Sequence, residues 1–423
     1  MIQRVVLGVT LAGALAVRLY YLLNGSLREL IGDAAAYDAS AVRLITKGFY
    51  ALSGSPAVSD AHPNAYTVPG YPFFLAAVYR FTGIGDGRLF WVRLLQVLLS
   101  TLTVYLLYLL GRRATGSAWV GLLAAVALAC YPPAYYANGY LLTEVLYTFV
   151  IVLSLHVLLF AAEKERWWWF ALAGAVFAAA SLVRPTAAPW IVIFVGYLFL
   201  KRYGWRRVAV SATALALGFI VVMSPWWVRN YTIYHRFVPF GTISANPLLR
   251  SSYLYLEKYP RFAVEWPPAL RGDEIALNDY QSRLATQRTL AQFRADPRAF
   301  LFRRYLRLRR STDFGFAVPN FQVDAWVHLF QPWLWLLALI APLFWLKKAE
   351  VWLLWSFLVF FTGVYFALLV FARYLFPVMP LVLLLAIAAV WGFGVLASRG
   401  VRKLTGGSPP DRAGPTAAAL PEG

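Results

Sequence analysis

The sequence predicts an all-α integral membrane protein with about ten transmembrane helices. Three observations carry this. Of the 423 residues 61% are hydrophobic and only 14% charged, and the mean hydropathy is +0.61. A water-soluble domain carries about 25% charged residues and about 45–50% apolar ones. The apolar residues gather in runs, several near the roughly 17–25 residues that cross a bilayer. The short connections between runs alternate in charge: Arg112-Arg113, Lys164 to Arg166, Lys201-Arg202 with Arg206-Arg207, Lys347-Lys348, and Arg399 to Lys403 fall at every second turn. Basic loops mark the cytoplasmic side, so both termini are expected inside and ten spans close the count.

In chain order the runs are Val5–Leu23, Leu89–Leu110, Trp119–Pro132, Leu141–Ala162, Trp168–Leu182, Ala187–Leu200, Val208–Trp227, Trp326–Leu346, Val351–Val370 and Leu375–Ala397. Arg18 inside the first run, with no clear small-residue cleavage site after it, favours a retained anchor over a signal peptide. The runs flanking Arg184-Pro185 could form one kinked helix; the polar Arg favours a return point at a membrane face. Two long segments, about 24–88 and 228–325, are expected outside the cytoplasm. The first includes Phe73 to Tyr79, too short to span and expected to form a juxtamembrane helix. The second includes Arg303-Arg304-Tyr305-Leu306-Arg307-Leu308-Arg309-Arg310, an amphipathic basic helix beginning near Asp296-Pro297. Residues 1–403 are read as the polytopic domain and 404–423 as a disordered cytoplasmic tail.

The net charge of +20 is placed in membrane loops, so nucleic acid is not an expected partner. The single Cys130 permits no intrachain disulfide and no zinc-thiolate cluster. Gly83-Ile84-Gly85-Asp86-Gly87 is read as a turn, since no strand precedes it to form a nucleotide-phosphate loop. Trp167-Trp168-Trp169 beside Lys164 and Arg166 is read as an interfacial aromatic belt.

The functional signal is a set of charges at helix ends that the topology places on one side: Asp33, Arg93, Glu144, Arg184, Arg229 and Arg373. Such residues near spans carry a desolvation cost and ask for a reason; snorkelling or pairing is the plain one. Sugar transfer from a lipid phosphate is the chemical one. A carboxylate removes the proton from an attacking hydroxyl. A phosphate leaving group needs positive charge rather than an acid, from Arg in bidentate geometry or a metal. Asp33, followed one helical turn later by Tyr37, is the candidate base, although an Asp before Ala34-Ala35-Ala36 also suits a helix N-cap. Asp38 is read as a solvated helix face. His62 could ligate a metal with Asp33 or Glu144, against the plainer reading of an exposed loop histidine. Arg304 and Arg307 could grip a lipid phosphate or anchor to head groups. His156, about 18 Å deeper than Glu144 along one helix, is read as a packed, hydrogen-bonded residue.

Five motifs, met in order, resemble glycosyltransferase family 39-type proteins. They are Gly32-Asp33 with Tyr37 and Pro69-Gly70-Tyr71-Pro72; Leu142-Thr143-Glu144; Leu182-Val183-Arg184-Pro185-Thr186; Ser224-Pro225-Trp226-Trp227-Val228-Arg229-Asn230-Tyr231; and Arg373-Tyr374 with Pro377 and Pro380. The resemblance implies the C-type fold of membrane glycosyltransferases, shared with bacterial aminoarabinose transferase and protein O-mannosyltransferases. It implies a polyprenyl-phosphate-linked sugar donor, a lipid, glycan or protein acceptor, and an active site on the non-cytoplasmic face of the cell membrane. It assigns Asp33 as catalytic base and Glu144 as the second acidic position, which would position the acceptor or bind a divalent metal ion, the one cofactor left open. Departures are the absence of a separate C-terminal soluble domain and Thr67-Val68-Pro69 where the lipid A enzyme has Lys-Pro-Pro. The aminoarabinose substrate is therefore not carried over.

The expectation is a membrane glycosyltransferase acting with inversion, because no second nucleophile for a covalent intermediate is found. Arg93, Arg184, Arg229, Arg304, Arg307, Arg373, Tyr37 and Tyr374 would bind substrate. The alternatives are a transporter or flippase for an anionic lipid-linked substrate, or a glycan ligase or polymerase using a polyprenyl diphosphate. A transporter would favour a Gly/Pro-broken helix pair at mid-membrane and pseudo-symmetric halves, neither of which is clear in the sequence.

Overall fold

The computed structural model describes residues 1–24, 30–52, 59–242, 246–253, 267–270, 272–311, 321–368 and 372–404. The expected tail from 405 onward lies outside them. Among the described residues there are helices and connections only, with no strand. In order they are α1 (Ile2–Asn24), α2 (Asp33–Lys47), α3 (Gly70–Thr82), α4 (Arg88–Thr115), α5 (Ala118–Cys130), α6 (Pro132–Tyr136), α7 (Thr143–Lys164), α8 (Trp167–Val183), α9 (Ile191–Leu200), α10 (Trp205–Tyr234), α11 (Asn246–Tyr253), α12 (Glu274–Ala295), α13 (Pro297–Ser311), α14 (Phe321–Phe344), α15 (Ala349–Ala367) and α16 (Met379–Leu404). Short 3-10 turns at Pro185–Trp190 and Ala372–Val378 lead into α9 and α16.

Each of the ten apolar runs carries a helix. Among the described residues six helices are long and apolar enough to cross a membrane, and the bent pair of α5 with Pro132–Gly139 makes a seventh candidate. The bend there is 62°, where Tyr131 leaves helical geometry before two prolines. Residues 167–183, 185–200 and 329–344 form shorter apolar helices. Large apolar side chains stand exposed along the sides, among them Val9 and Val17 on α1, Val210, Leu217 and Val221 on α10, and Trp333, Leu336 and Leu343 on α14. A soluble monomer rarely exposes so much contiguous apolar surface; this is a multi-pass membrane protein.

Glycines allow the closest helix contacts. A Cβ on Gly174 of α8 would strike the Leu215 carbonyl of α10, and one on Gly218 would strike the Ala171 carbonyl of α8. Lipid gives helices no hydrophobic reason to associate, so close backbone packing supplies the attraction. Gly70, in the Pro-Gly-Tyr-Pro motif, does the same for the site. Its missing side chain lets the start of α3 rest on the end of α8, where a Cβ would lie 2.5 Å from the Leu182 carbonyl oxygen.

α10 has 30 residues and is therefore about 45 Å long, longer than the ~30 Å hydrocarbon core. Its last turns reach the two long segments between helices and tie them together. Arg229 donates to the carbonyls of Tyr50 (2.8 Å) and Asn64 (3.0 Å). Tyr234 accepts from the Ala65 amide at 2.7 Å, and the Thr242 amide donates to the Ala65 carbonyl at 2.8 Å. Glu274, the first residue of α12, accepts from Tyr234 (3.0 Å) and Thr242 (2.9 Å).

The juxtamembrane helix appears as α3 and the basic helix as α13. Asp296 starts α13, accepting from the Ala299 amide at 2.9 Å. One expectation is corrected. Asp38 is not on a solvated face but is 6% exposed, because Arg88 and Tyr79, from two other helices, close on it.

Candidate active site

Four charged side chains meet where α2, α7, α8 and the turn before α16 converge. Glu144 stands in the first turn of α7, where the helix dipole favours a carboxylate. Its side chain is 1% exposed. Arg184 follows α8 in extended geometry (φ −147°, ψ 125°), because a residue before proline is driven out of the helical region. Its Nη2 meets Glu144 Oε1 at 2.6 Å, and its Nε donates to Thr143 Oγ1 at 2.7 Å. Thr143 in turn donates to Glu144 Oε2 at 3.4 Å. Tyr147 and Thr186, hydrogen-bonded at 2.9 Å, fasten α7 to the chain just beyond Arg184.

Arg373 lies between the two acids. Its Nη2 pairs with Asp33 Oδ2, and its Nε is 3.6 Å from Glu144 Oε1. The Tyr374 ring lies 5.3 Å from the Arg184 guanidinium and 5.8 Å from that of Arg373, and Tyr365 stands 5.7 Å from Tyr374. Asp33 is not the cap of α2. Gly32 occupies that position with φ 55°, so the Asp33 side chain is available to the site.

The two acids differ in burial. The Asp33 side chain is 55% exposed and that of Glu144 1%. An exposed ion pair contributes about 0–1 kcal/mol. Removing one partner of a buried pair costs about 3–5 kcal/mol. The Glu144–Arg184 pair is therefore the fixed element of the cluster, and the Asp33–Arg373 pair is the exchangeable one.

Tyr37 lies one turn beyond Asp33 and packs edge-on against Tyr71 at 5.2 Å. Burial pushes its phenol well above the usual tyrosine value, and Asp33 adds to this. It is therefore a protonated donor at neutral pH. Tyr71 donates to Gln96 Oε1 at 2.9 Å. Tyr66, which no sequence motif singles out, is raised to about 12; burial is the main cause, Arg250 opposes it and Asp33 adds to it. Thr143 was not among the expected site residues either, although its place between Leu142 and Glu144 was a usable signal.

The other sequence candidates are not brought into this cluster. Arg93 is buried and donates to the Gly139 carbonyl at 3.1 Å. Arg229 is engaged on loop carbonyls, with its guanidinium 4.9 Å from the Trp226 ring. Arg304 is buried on α13, donates to the Ala367 carbonyl, and lies 5.0 Å from the Phe300 ring. The side chain of Arg307 lies outside the described residues. His62 is exposed, and among the described residues no three His, Cys, Asp or Glu side chains gather as a metal site. His156 is held by the Leu106 carbonyl at 2.7 Å.

The helical bundle, with a juxtamembrane helix and paired charges at one end, is a polytopic membrane protein, and its likeness in structure to AglB, given below, bears out the expected C-type fold. In sequence, residues 61–228 match the family described as dolichyl-phosphate-mannose-protein mannosyltransferase. In structure, the chain is similar to the archaeal oligosaccharyltransferase AglB from Archaeoglobus fulgidus, with a TM-score of 0.57 and 11% identity over 96% of this chain and 52% of that one. The chain thus spans about half the length of that protein. ArnT from Cupriavidus metallidurans gives 0.43 and 15% identity over 95% of this chain and 81% of that one. The arabinosyltransferase EmbB from Mycobacterium smegmatis gives 0.35 and 16%, over 95% and 43%. No curated protein matches the chain.

Proposed function

We propose that the chain is a membrane glycosyltransferase that moves a sugar from a polyprenyl-phosphate donor to an acceptor hydroxyl. The observation that carries this is the cluster of Asp33, Glu144, Arg184 and Arg373 at one end of the bundle. The matched family is described by a dolichyl-phosphate sugar, and the AglB structure holds a dolichol-phosphate; both accord with this donor class.

The donor phosphate enters beside Arg373 and Arg184, whose planar guanidiniums suit its oxygens. Arg184 stays bound to Glu144, so Arg373 is the group that turns to the phosphate and releases Asp33. Asp33 then takes the proton of the acceptor hydroxyl. The hydroxyl oxygen bonds to the anomeric carbon, the bond from that carbon to the phosphate oxygen breaks, and polyprenyl phosphate leaves with the electron pair. One displacement inverts the anomeric centre. Arg373 and Arg184, both largely buried, stabilise the departing charge, and partial burial strengthens each contact. Tyr37 holds its proton and serves as a donor to the sugar or the phosphate.

The reaction is assigned to the non-cytoplasmic face. α7 carries Glu144 in its first turn and ends at Lys164, and α4 carries Arg112-Arg113 in its last turn, so the cluster lies at the opposite end from the basic loops. The test is Asp33→Asn in membranes supplied with a labelled polyprenyl-phosphate sugar. Transfer is expected to fall by about 100-fold or more; unchanged turnover refutes the base.

A further inference from the structure

Asp38 is a buried carboxylate that the proposed reaction does not use. Arg88, the first residue of α4, grips it with both ends of its fork: Nε donates to Oδ1 at 3.0 Å and Nη2 to Oδ2 at 2.9 Å. The Tyr79 hydroxyl of α3 donates to Oδ1 at 2.6 Å. Arg88 also lies 5.9 Å from the Tyr79 ring and donates to the carbonyls of Ile84 and Gly85, both at 3.2 Å. One carboxylate thus joins three helices. Burial pushes the Tyr79 phenol up, with the Asp38 hydrogen bond next in weight, so Tyr79 remains a proton donor throughout the neutral range.

The position of Asp38 on α2 gives this grip a direction. Asp33 and Tyr37 are four residues apart and share one face. Asp38, five residues from Asp33, is turned about 140° away. The start of α2 has no side-chain cap, so its rotation at the end that carries Asp33 is left to packing, such as that of Tyr37 on Tyr71, and to the grip on Asp38. At the far end Arg43 donates to the Ala51 carbonyl at 2.9 Å and pairs with Asp60. A helix held from behind at Asp38 presents its opposite face to Arg373.

We propose that Asp38, Arg88 and Tyr79 are positioning residues that set the rotation of α2 and thereby hold Asp33 against Arg373. The mechanistic weight of this rests on the reading of Asp33 as base, but the positioning itself does not. The geometry requirement is strict, since a displacement of about 1 Å at a reacting group costs up to ~100-fold in rate.

The test is separable from the transfer reaction. Purified protein in detergent is treated with a water-soluble carbodiimide and an amine, and labelling of single carboxylates is followed by mass spectrometry. Glu163 and Glu165, with side chains 52% and 43% exposed at the other end of the bundle, serve as internal references. Asp38→Asn and Arg88→Lys are expected to raise the Asp33 labelling rate several-fold with the references unchanged. Tyr79→Phe, which leaves the ion pair intact, is expected to raise it less, and it decides the question if the charge variants fail to fold. In the transfer assay the same variants lower kcat with the KM for the donor unchanged. Unchanged Asp33 labelling in variants that fold, or an equal rise at Glu163 and Glu165, overturns the proposal. If labelling responds and Asp33→Asn still turns over normally, the positioning stands and the base assignment fails.

Discussion

Arg373 pairs with Asp33 across 340 positions of sequence, joining the turn before α16 to the first residue of α2. The same guanidinium lies 3.6 Å from Glu144, so one cation faces both acids. A phosphate arriving there displaces the exposed Asp33 first, because the buried Glu144 keeps its 2.6 Å bond to Arg184.

This difference separates the two arginines. Arg184→Ala leaves Glu144 buried without its 2.6 Å partner, an expected loss of about 3–5 kcal/mol. Arg373→Ala removes the pair to the exposed Asp33, about 1 kcal/mol or less, and the longer 3.6 Å contact to Glu144, which keeps its 2.6 Å partner, so the smaller loss is expected here. Thermal unfolding in detergent reads the contrast. Both variants are expected to lose transfer, and Lys is not expected to restore it at Arg373 because it lacks the planar fork.

Donor is expected to bind before acceptor. Polyprenyl phosphate without a sugar should raise carbodiimide labelling of Asp33 by drawing Arg373 away, and should leave Glu144 unlabelled. Protection of Asp33 by the same lipid would contradict the exchange.

Gly70→Ala places a methyl 2.5 Å from the Leu182 carbonyl oxygen, a backbone atom that cannot rotate aside. Overpacking of this kind costs about 1–3 kcal/mol. Because Arg184 follows two residues after Leu182, transfer should fall further than thermal stability alone accounts for. Gly8→Ala, with open space around its Cβ, is the control.

Glu274 gives a pH prediction. Burial raises its carboxyl above the usual glutamate value, against the opposing bonds from Thr242 and Tyr234. An acid raised in the folded state contributes stability that is present below its unfolded value and lost as pH rises through the raised one. Glu274→Gln keeps a carbonyl acceptor and does not titrate. It is expected to flatten the dependence of the melting temperature as pH rises above the ordinary glutamate value, and to be the more stable form once the carboxyl has ionised.

The sequence made the helices legible because lipid demands long apolar runs, and Pro185 announced a break through its own stereochemistry. Asp33, Glu144, Arg184 and Arg373 were legible as charges at one end. Their pairing was not, since Arg373 could equally have faced head groups. Asp38 was misread because its partner Arg88 lies 50 positions away, and nothing in the four-residue rhythm of α2 reveals it. Arg229 stands in a motif that resembles a substrate contact, yet its hydrogens go to the carbonyls of Tyr50 and Asn64. Chain reversals decide such choices, and sequence spacing does not encode them.

Gly241 sits against the backbone of Tyr66 and Thr67, where a Cβ would come within 2.9 Å of the Thr67 Cα. Transplanting either outer segment from another protein would therefore graft half of a matched seam. A chimera in this region has to exchange residues 50–68 and 234–242 as one cassette, with Glu274 retained as the fastener.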